Sequence, residues 1–339
     1  AAQEQDYEEF GKEDVSKMDA VSVKAALLKS GMFAFIKQRP YDIVADPTVA
    51  PRAIFVSAFD TNPLAPDFEL ALKGEEANFQ TGLDALAKIA KTYLSISVNQ
   101  KAVALTQAKN VTLTVFDGPH PAGNVGVQIN NIAPINKGET VWTIDPQAVI
   151  FIGRLFNTGH VDLTRLVAVT GSEVKKPSYC KLKVGALLTN VFAGNVSTDK
   201  NLRYISGNVL TGKQITANGF LGAFHSQVTV IPEGDDVHEM LGWIMPRFDQ
   251  FSTSHSYFSW LMGKKEYTLD ARVKGGERHM IMSNEYDRVL PMDIMPEYLI
   301  KAIIAGDIDR MEALGIYEVA PEDFALCEFV CSSKMDLQR

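Results

Sequence analysis

The sequence predicts an α/β protein, α+β overall, in which an open sheet with helices precedes a β-grasp-like unit and a small helical domain. In the first half of the chain, strand-like runs alternate with helix-like runs, which is typical of an open sheet whose strands end in loops at one edge. Two strand-like runs joined by a turn and followed by an amphipathic run occupy residues 165–194. Repeated helix start and stop signals follow residue 286.

Local patterns predict each element of the first part. Apolar residues at near-helical spacing predict a helix over residues 22–35 that Gly31 would end. The run RAIFVSAFD (52–60) indicates a buried strand, residues 79–90 a helix, and TYLSISVNQ and NVTLTVFD two further strands. Within residues 140–156, Asp145-Pro146 predicts a change from strand to helix, because proline is tolerated in a first helical turn.

The remaining elements follow in the same way. RLVAVTG, the turn at Lys176-Pro177 and SYCKLKVG predict two strands, and ALLTNVFAG predicts a helix, which together make the opening half of a β-grasp unit. Further strands are predicted at residues 203–207 and 225–234, and a hairpin at 267–282 around VKGGER. Pro296, Asp307 and Pro321 each mark a helix start.

These signals divide the chain into four segments. We predict a linker or cut end at residues 1–20, an α/β domain at 21–160, a β-grasp-type domain with added strands at 161–285 and a helical domain at 286–339.

Charge and hydropathy exclude several classes of partner. The net charge of −8 and the pI of about 5.4 argue against nucleic acid and against broad attachment to anionic lipid, since both require a basic face. No apolar run approaches the roughly 18 residues of a membrane span. We therefore expect no nucleic-acid partner, and contact with a membrane only through other proteins.

The stretch FDGPHPAGNVGVQINN (116–131) has the composition of a phosphate-binding loop. Gly118, Gly123 and Gly126 would let backbone amides converge on an anion. The spacing matches neither a P-loop nor the dinucleotide fingerprint, because no Lys-Ser or Lys-Thr pair follows and the glycines precede a strand-like run. A tight turn is the simpler interpretation.

No complete catalytic or metal site is visible in the sequence. His120 could act as a base or ligand, but no carboxylate or second histidine lies at a useful local spacing. Cys327 and Cys331 lie one helical turn apart, yet two ligands do not complete a zinc or iron–sulfur site. A serine-nucleophile motif is also absent. We predict no catalytic residue and no metal site.

Several ordered stretches resemble a known family over nearly the whole chain, namely FVSAFDTNPLAPD (55–67), GPHPAGNVGVQIN (118–130), RYISGNVLTG (203–212), YDRVLPMDIMP (286–296) and AGDIDRMEALGIYEVAPEDFALCEFVCSSK (305–334). The chain resembles the A subunits of the sodium-translocating NADH:quinone reductases. That family is similar to the flavin-carrying subunit of respiratory complex I. The resemblance implies a Rossmann-like domain, a β-grasp domain of the ligand-binding type and a helical domain, in a fragment lacking an N-terminal domain and a C-terminal tail.

The chain departs from its flavin-binding relatives at two places. Where they carry a glycine-rich loop, it has SGMFAFIKQRPY (30–41), whose Met32, Phe33, Phe35 and Ile36 would obstruct a flavin phosphate. Where they carry cluster cysteines, it has only Cys327 and Cys331. We therefore expect no tightly bound flavin or iron–sulfur cluster, and interpret residues 116–131 as an inherited nucleotide-site framework.

The resemblance implies a peripheral subunit on the cytoplasmic side of the bacterial inner membrane. It would take part in quinone reduction, with ubiquinone or menaquinone as the substrate of the complex, and would dock on the membrane subunits, chiefly the B subunit. The isolated chain is expected to be inactive. The alternatives are a purely structural docking scaffold and a redox subunit that still binds flavin or NADH. Candidate residues for a vestigial or quinone-side pocket are Arg39, Asp60, Asn62, His120, Gly123 and Gly126.

Overall fold

A six-stranded mixed sheet forms the first part of the molecule. The computed structural model describes residues 8–197, 199–235, 240–253, 255–263 and 265–339. The strands are β1 (Ile36–Arg39), β2 (Ile43–Val44), β3 (Ile54–Ser57), β4 (Thr92–Ser97), β5 (Thr112–Phe116) and β6 (Val141–Ile144). They are arranged in the order β2-β1-β6-β3-β4-β5. Strands β3 to β6 run parallel, whereas β1 is antiparallel to both of its neighbours. The strands predicted at 52–60, 92–100 and 110–117 are confirmed.

Helices accompany this sheet in the order expected of an α/β domain. They are α1 (Ala20–Lys29), α2 (Phe68–Leu72), α3 (Glu76–Ile89), α4 (Val103–Thr106), α5 (Val125–Ile132) and α6 (Pro146–Thr158). Asp145 caps α6 by accepting from the Ala148 amide, as its place before Pro146 predicts. Helices α3 and α6 approach each other closely at Gly82 and Gly153. A Cβ atom at either position would overlap backbone atoms of the facing helix.

The helix predicted over residues 22–35 is shorter than expected. Helix α1 ends at Lys29, Gly31 adopts a left-handed φ of 76°, and Met32–Phe35 form one turn of 3-10 helix. The apolar spacing continues past the helix end because residues of both segments are buried in the same core. The apolar spacing over residues 22–35 therefore reflects which residues are buried, and not the length of the helix.

A five-stranded sheet forms the second part. Its elements are β7 (Thr164–Thr170), β8 (Ser178–Lys183), α7 (Thr189–Phe192), β9 (Leu202–Ser206), β10 (Lys213–Ile215) and β11 (Gln227–Pro232), with strand order β10-β9-β11-β7-β8. Strand β11 is parallel to β7 at the centre, and the other pairs are antiparallel. A hairpin, a helix and a returning strand parallel to the first strand make the β-grasp arrangement.

The hairpin predicted at residues 267–282 is wrong. Residues 267–282 contain no strand, and the described residues of 240–288 contain three short 3-10 turns, Gly242–Ile244, Phe258–Met262 and Tyr286–Arg288. The glycine pair in VKGGER permits a turn, but the flanking residues are mostly exposed and find no sheet to join.

Three helices close the chain near the predicted positions. They are α8 (Pro296–Ala305), α9 (Ile308–Ala313) and α10 (Ala325–Val330), the last preceded by a 3-10 turn at Pro321–Phe324. Asp307 caps α9, and Cys327 and Cys331 are buried in the core of this segment. Among the described residues, no helix is both long and apolar enough to cross a bilayer.

Candidate functional site

A cavity of about 570 Å³ opens at the carboxyl ends of the parallel strands. The chain passes from β3 to β4 on one side and later returns to β6 on the other side of β3. This reversal is the position at which open α/β sheets bind ligands, because the connecting loops diverge there. Residues 57–60 after β3, Ser97 of β4 and Asp145 after β6 line the cavity.

The opposite walls of the cavity come from the second sheet and the C-terminal segment. Residues 224–226, which precede β11, line one wall, and Pro321, Glu322 and Gln338 line another. Aromatic side chains contribute Phe35, Phe59, Phe68 and Phe224, and the Phe35 ring meets the Phe224 ring edge-to-face at 6.2 Å between centroids. The space therefore combines apolar ring surfaces with polar groups, as sites for small organic ligands do.

The charge of the lining is predominantly negative. Among the described residues, five carboxylates line the cavity, against one ammonium group, that of Lys37: Asp42, Asp60, Asp67, Asp145 and Glu322. Two of the five are paired with cations, Asp42 with Lys37 at 2.8 Å and Asp145 with Arg165 at 3.0 Å. The remaining excess of negative charge disfavours phosphate groups.

The glycine-containing loop packs as structure beside the cavity. Helix α5 follows the loop, so the strand-like run predicted after the glycines is wrong; its alternation reflected a helix that is buried over most of its surface. Gly123 donates its amide to Thr61 Oγ1 at 2.9 Å, and a Cβ atom there would stand 2.6 Å from the Phe59 carbonyl oxygen. The glycine permits close packing of two loops.

A carboxylate of the protein itself lies against the first turn of α5. A Cβ atom at Gly126 would collide with both carboxylate oxygens of Asp323. Arg39 Nη1 donates to Asp323 Oδ2 at 2.6 Å, and the Ala320 amide donates to the same oxygen at 2.9 Å. Asp323 Oδ1 accepts no hydrogen bond from the described residues, so no described amide of α5 binds this oxygen. Asp323 therefore packs against the side of the first turn of α5, at Gly126.

The structure divides the six predicted pocket residues into two sets. Asp60, Asn62 and Gly123 line the cavity. Arg39, Gly126 and His120 lie outside its lining: Arg39 and Gly126 adjoin Asp323, and His120 Nδ1 lies 3.2 Å from Thr61 Oγ1. Burial lowers the pKa of His120, although Asp60 acts in the opposite direction. The bulky residues of 30–41 are also placed: Met32, Phe33 and Ile36 are in the core, and Phe35 lines the cavity.

Sequence reasoning missed Phe224, His225 and Glu322, which come from the second sheet and the C-terminal segment. His225 Nδ1 lies 2.8 Å from Ser206 Oγ, which also accepts the Gly222 amide. Burial lowers the pKa of His225 to about 4, and the nearby charges of Arg165 and Lys37 act in the same direction. No local spacing joins these residues to the glycine loop, so only the tertiary fold shows that they belong together.

The depressed pKa of His225 predicts acid sensitivity. The unfolded chain binds a proton at this residue near pH 6.5, whereas the folded chain binds it only near pH 4. Its stabilising contribution is therefore present above pH 6.5 and lost as the pH falls through 4. We expect His225→Gln to remove about 2 kcal/mol of this pH dependence, measured by urea unfolding between pH 4 and 7. The exposed His279→Gln variant is the control; an unchanged acid limb in His225→Gln would contradict the prediction.

Comparison with known proteins assigns the family. A family model described as "NqrA second alpha/beta domain" matches residues 18–161, and one described as "NQRA C-terminal domain" matches residues 166–217. The A subunit of the Na(+)-translocating NADH-quinone reductase of Yersinia pestis bv. Antiqua is 37% identical over 333 residues, which is 97% of this chain and 74% of the relative. The chain belongs to this family of A subunits. The corresponding protein of Neisseria meningitidis serogroup C is also 37% identical, over 98% of this chain.

Membership of the A-subunit family confirms the resemblance seen in the sequence. Among solved structures, an NAD+-reducing [NiFe]-hydrogenase in the air-oxidised state aligns with a TM-score of 0.43 and 14% identity, covering 64% of this chain and 50% of the other. That likeness is too weak to carry an argument. The family assignment therefore depends on the A subunits.

Proposed function

We propose that this chain is a peripheral subunit on the cytoplasmic side of the bacterial inner membrane that takes part in the quinone-reduction step of the sodium-pumping complex. The cavity at the reversal of strand order is the observation that carries the proposal. It offers aromatic surfaces at Phe35 and Phe224 together with a few polar groups, which suit a neutral quinone ring. Family membership supports the assignment to the complex.

We further propose that the chain holds no flavin or iron–sulfur cluster tightly. The residues present do not favour a flavin phosphate, because carboxylates outnumber cations in the described lining and the Asp323 carboxylate packs against Gly126 in the first turn of α5. They do not fit a cluster either: Cys327 and Cys331 are buried, and Cys331 Sγ lies 3.0 Å from the Tyr286 hydroxyl. Among the described residues, no group of three metal-ligating side chains occurs.

Docking on the membrane subunits, chiefly the B subunit, is the third element of the proposal. Several large apolar side chains are exposed between residues 240 and 262, including Met240, Leu241, Trp260, Leu261 and Met262. Exposed methionine and aromatic side chains are enriched where proteins bind each other. In sequence, residues 240–265 carry three basic residues and one acidic residue, in a chain of net charge −8. This segment supports a partner-binding surface.

Titration with a short-chain ubiquinone tests the quinone proposal. We expect saturable binding by isothermal titration calorimetry, and we expect Phe224→Ala to weaken it by roughly two- to tenfold, since an aromatic contact contributes roughly 0.5–1.5 kcal/mol. Phe220→Ala is the matched control, because Phe220 is 62% exposed and does not line the cavity.

Two results would favour the alternatives. No saturable heat with the quinone supports a purely structural scaffold. A yellow preparation, or a fluorescence change on adding NADH, supports a redox protein that still binds flavin or NADH.

A further inference from the structure

Glu322 occupies a distinctive place in the cavity wall. It lies beside the buried Asp323 and shares one guanidinium with it: Arg39 Nη1 stands 2.6 Å from Asp323 Oδ2, and Arg39 Nη2 stands 3.6 Å from Glu322 Oε2. The Asp323 carboxylate also accepts the Ala320 amide. Arg39 therefore stabilises the Asp323 anion first, and Glu322 is left with the weaker contact.

The surrounding charges leave one carboxylate in excess. On β1, Lys37 and Arg39 provide two positive charges; Asp42, in the turn after β1, and Asp323 and Glu322, on the 3-10 turn, provide three carboxylates. Lys37 pairs with Asp42 at 2.8 Å. When carboxylates outnumber cations in a small space, one of them retains a proton more readily than the others. Burial raises the pKa of Glu322 to about 7, Arg39 opposes this rise, and Asp323 and Asp42 add to it.

On the wall formed by Pro321, Glu322 and Gln338, a protonated Glu322 is the side chain left to donate a hydrogen bond to a ligand. Proline has no donor, and the Gln338 amide already donates to the Leu210 carbonyl and to Glu328 Oε2. Carboxylates accept hydrogen bonds and do not donate them. A carbonyl oxygen of a ligand also only accepts, so it needs a donor from the wall.

We propose that Glu322, in its protonated form, donates a hydrogen bond to a carbonyl oxygen of the neutral ring bound in the cavity. The inference depends on the proposed function and names the residue that positions the ligand. The Glu322 side chain is 34% exposed, so its proton can exchange with water in the cavity. Deprotonation would replace a donor by a negative charge facing the carbonyl oxygen. Affinity for the ring is therefore highest below neutral pH and falls as Glu322 loses its proton.

The test is a titration of the 339-residue chain with a short-chain ubiquinone at pH 6 and pH 9 by isothermal titration calorimetry. The wild-type affinity is expected to fall about tenfold between the two pH values, because a hydrogen bond between neutral groups is lost and a negative charge takes its place. Glu322→Gln keeps a donor without titrating, so its affinity should match the wild-type value at pH 6 and stay constant. Glu322→Ala should bind weakly at both pH values.

Carbon-13 NMR of the glutamate carboxyl groups provides a readout without ligand. A resonance that titrates near pH 7 and is missing in Glu322→Gln supports the proposal. Equal wild-type affinity at pH 6 and pH 9, or a Glu322→Gln variant that keeps the wild-type pH dependence, overturns this inference and leaves the quinone proposal intact. No quinone binding at either pH overturns both.

Discussion

Arg39→Met is expected to lower the free energy of unfolding by about 3–5 kcal/mol, because it leaves the Asp323 carboxylate buried without its cation. The side chains of Arg39 and Asp323 are 1% and 0% exposed, and their closest nitrogen and oxygen are 2.6 Å apart. The pair joins β1 to the C-terminal segment across 284 residues of sequence. Urea unfolding at pH 7, followed by circular dichroism, measures the loss.

A surface pair between the same two parts of the chain serves as control. Lys137 and Glu312 are 2.7 Å apart with side chains 69% and 28% exposed, so Lys137→Met should cost no more than about 1 kcal/mol. The double variant Arg39→Met/Asp323→Leu should recover part of the loss, since the fully buried Asp323 charge is removed, while Glu322 and the Ala320 amide still lose a partner. Equal effects of Arg39→Met and Lys137→Met would show that the buried pair is not what holds the C-terminal segment in place.

Elements whose ends are marked by local chemistry could be predicted from the sequence. Asp145 before Pro146 and Asp307 before Ile308 each mark a predicted helix start, and in the structure each caps that helix. Strand β3 could be predicted because a strand buried on both faces is a short, nearly continuous apolar run, as in residues 52–60, and β4 and β5 could be predicted from the alternation within residues 92–100 and 110–117. These signals lie within a few residues of each other and need no tertiary information.

The elements that could not be predicted depend on the environment. The apolar residues of Met32–Phe35 continue the pattern of α1 although the helix has ended, because both segments face one core. The run after the glycine loop alternates like a strand, yet it forms α5, in which even Gln128 and Asn130 are buried, so its polar residues do not mark an exposed face. In each case, the apolar residues are explained by burial, whereas the sequence analysis interpreted them as evidence for a helix or a strand.

The candidate site could be predicted in position and only partly in composition. The loop after β5 and the residues after β3 lie at the correct edge of the sheet, so Asp60, Asn62 and Gly123 line the cavity. His225 and Glu322 arrive from other parts of the chain, and nothing in their local sequence indicates the contact. Their contribution depends on how the second sheet and the C-terminal segment pack against the first sheet.

Gly126→Ala is expected to destabilise the protein by about 2–3 kcal/mol, although alanine favours a helix over glycine by roughly 1 kcal/mol. Gly126 lies in the first turn of α5, and the added methyl group would collide with the Asp323 carboxylate and approach Arg39 Nη1 within 2.6 Å. Those atoms are held by their own hydrogen bonds and are buried, so they have little room to move. Urea unfolding measures the effect.

Two further variants distinguish a clash with Asp323 from a general destabilisation caused by adding a methyl group to α5. Gly276→Ala is the control, because no atom lies within 4 Å of the added Cβ and its effect should stay within about 0.5 kcal/mol. In an Asp323→Ala background the carboxylate is gone, so Gly126→Ala should cost at least about 1 kcal/mol less than in the wild type. An equal cost in both backgrounds would mean that Asp323 is not the group accommodated by Gly126. A smaller cost in that background would instead show that the absence of a side chain at Gly126 makes room for the buried Asp323 carboxylate, which Arg39 and the Ala320 amide hold in place.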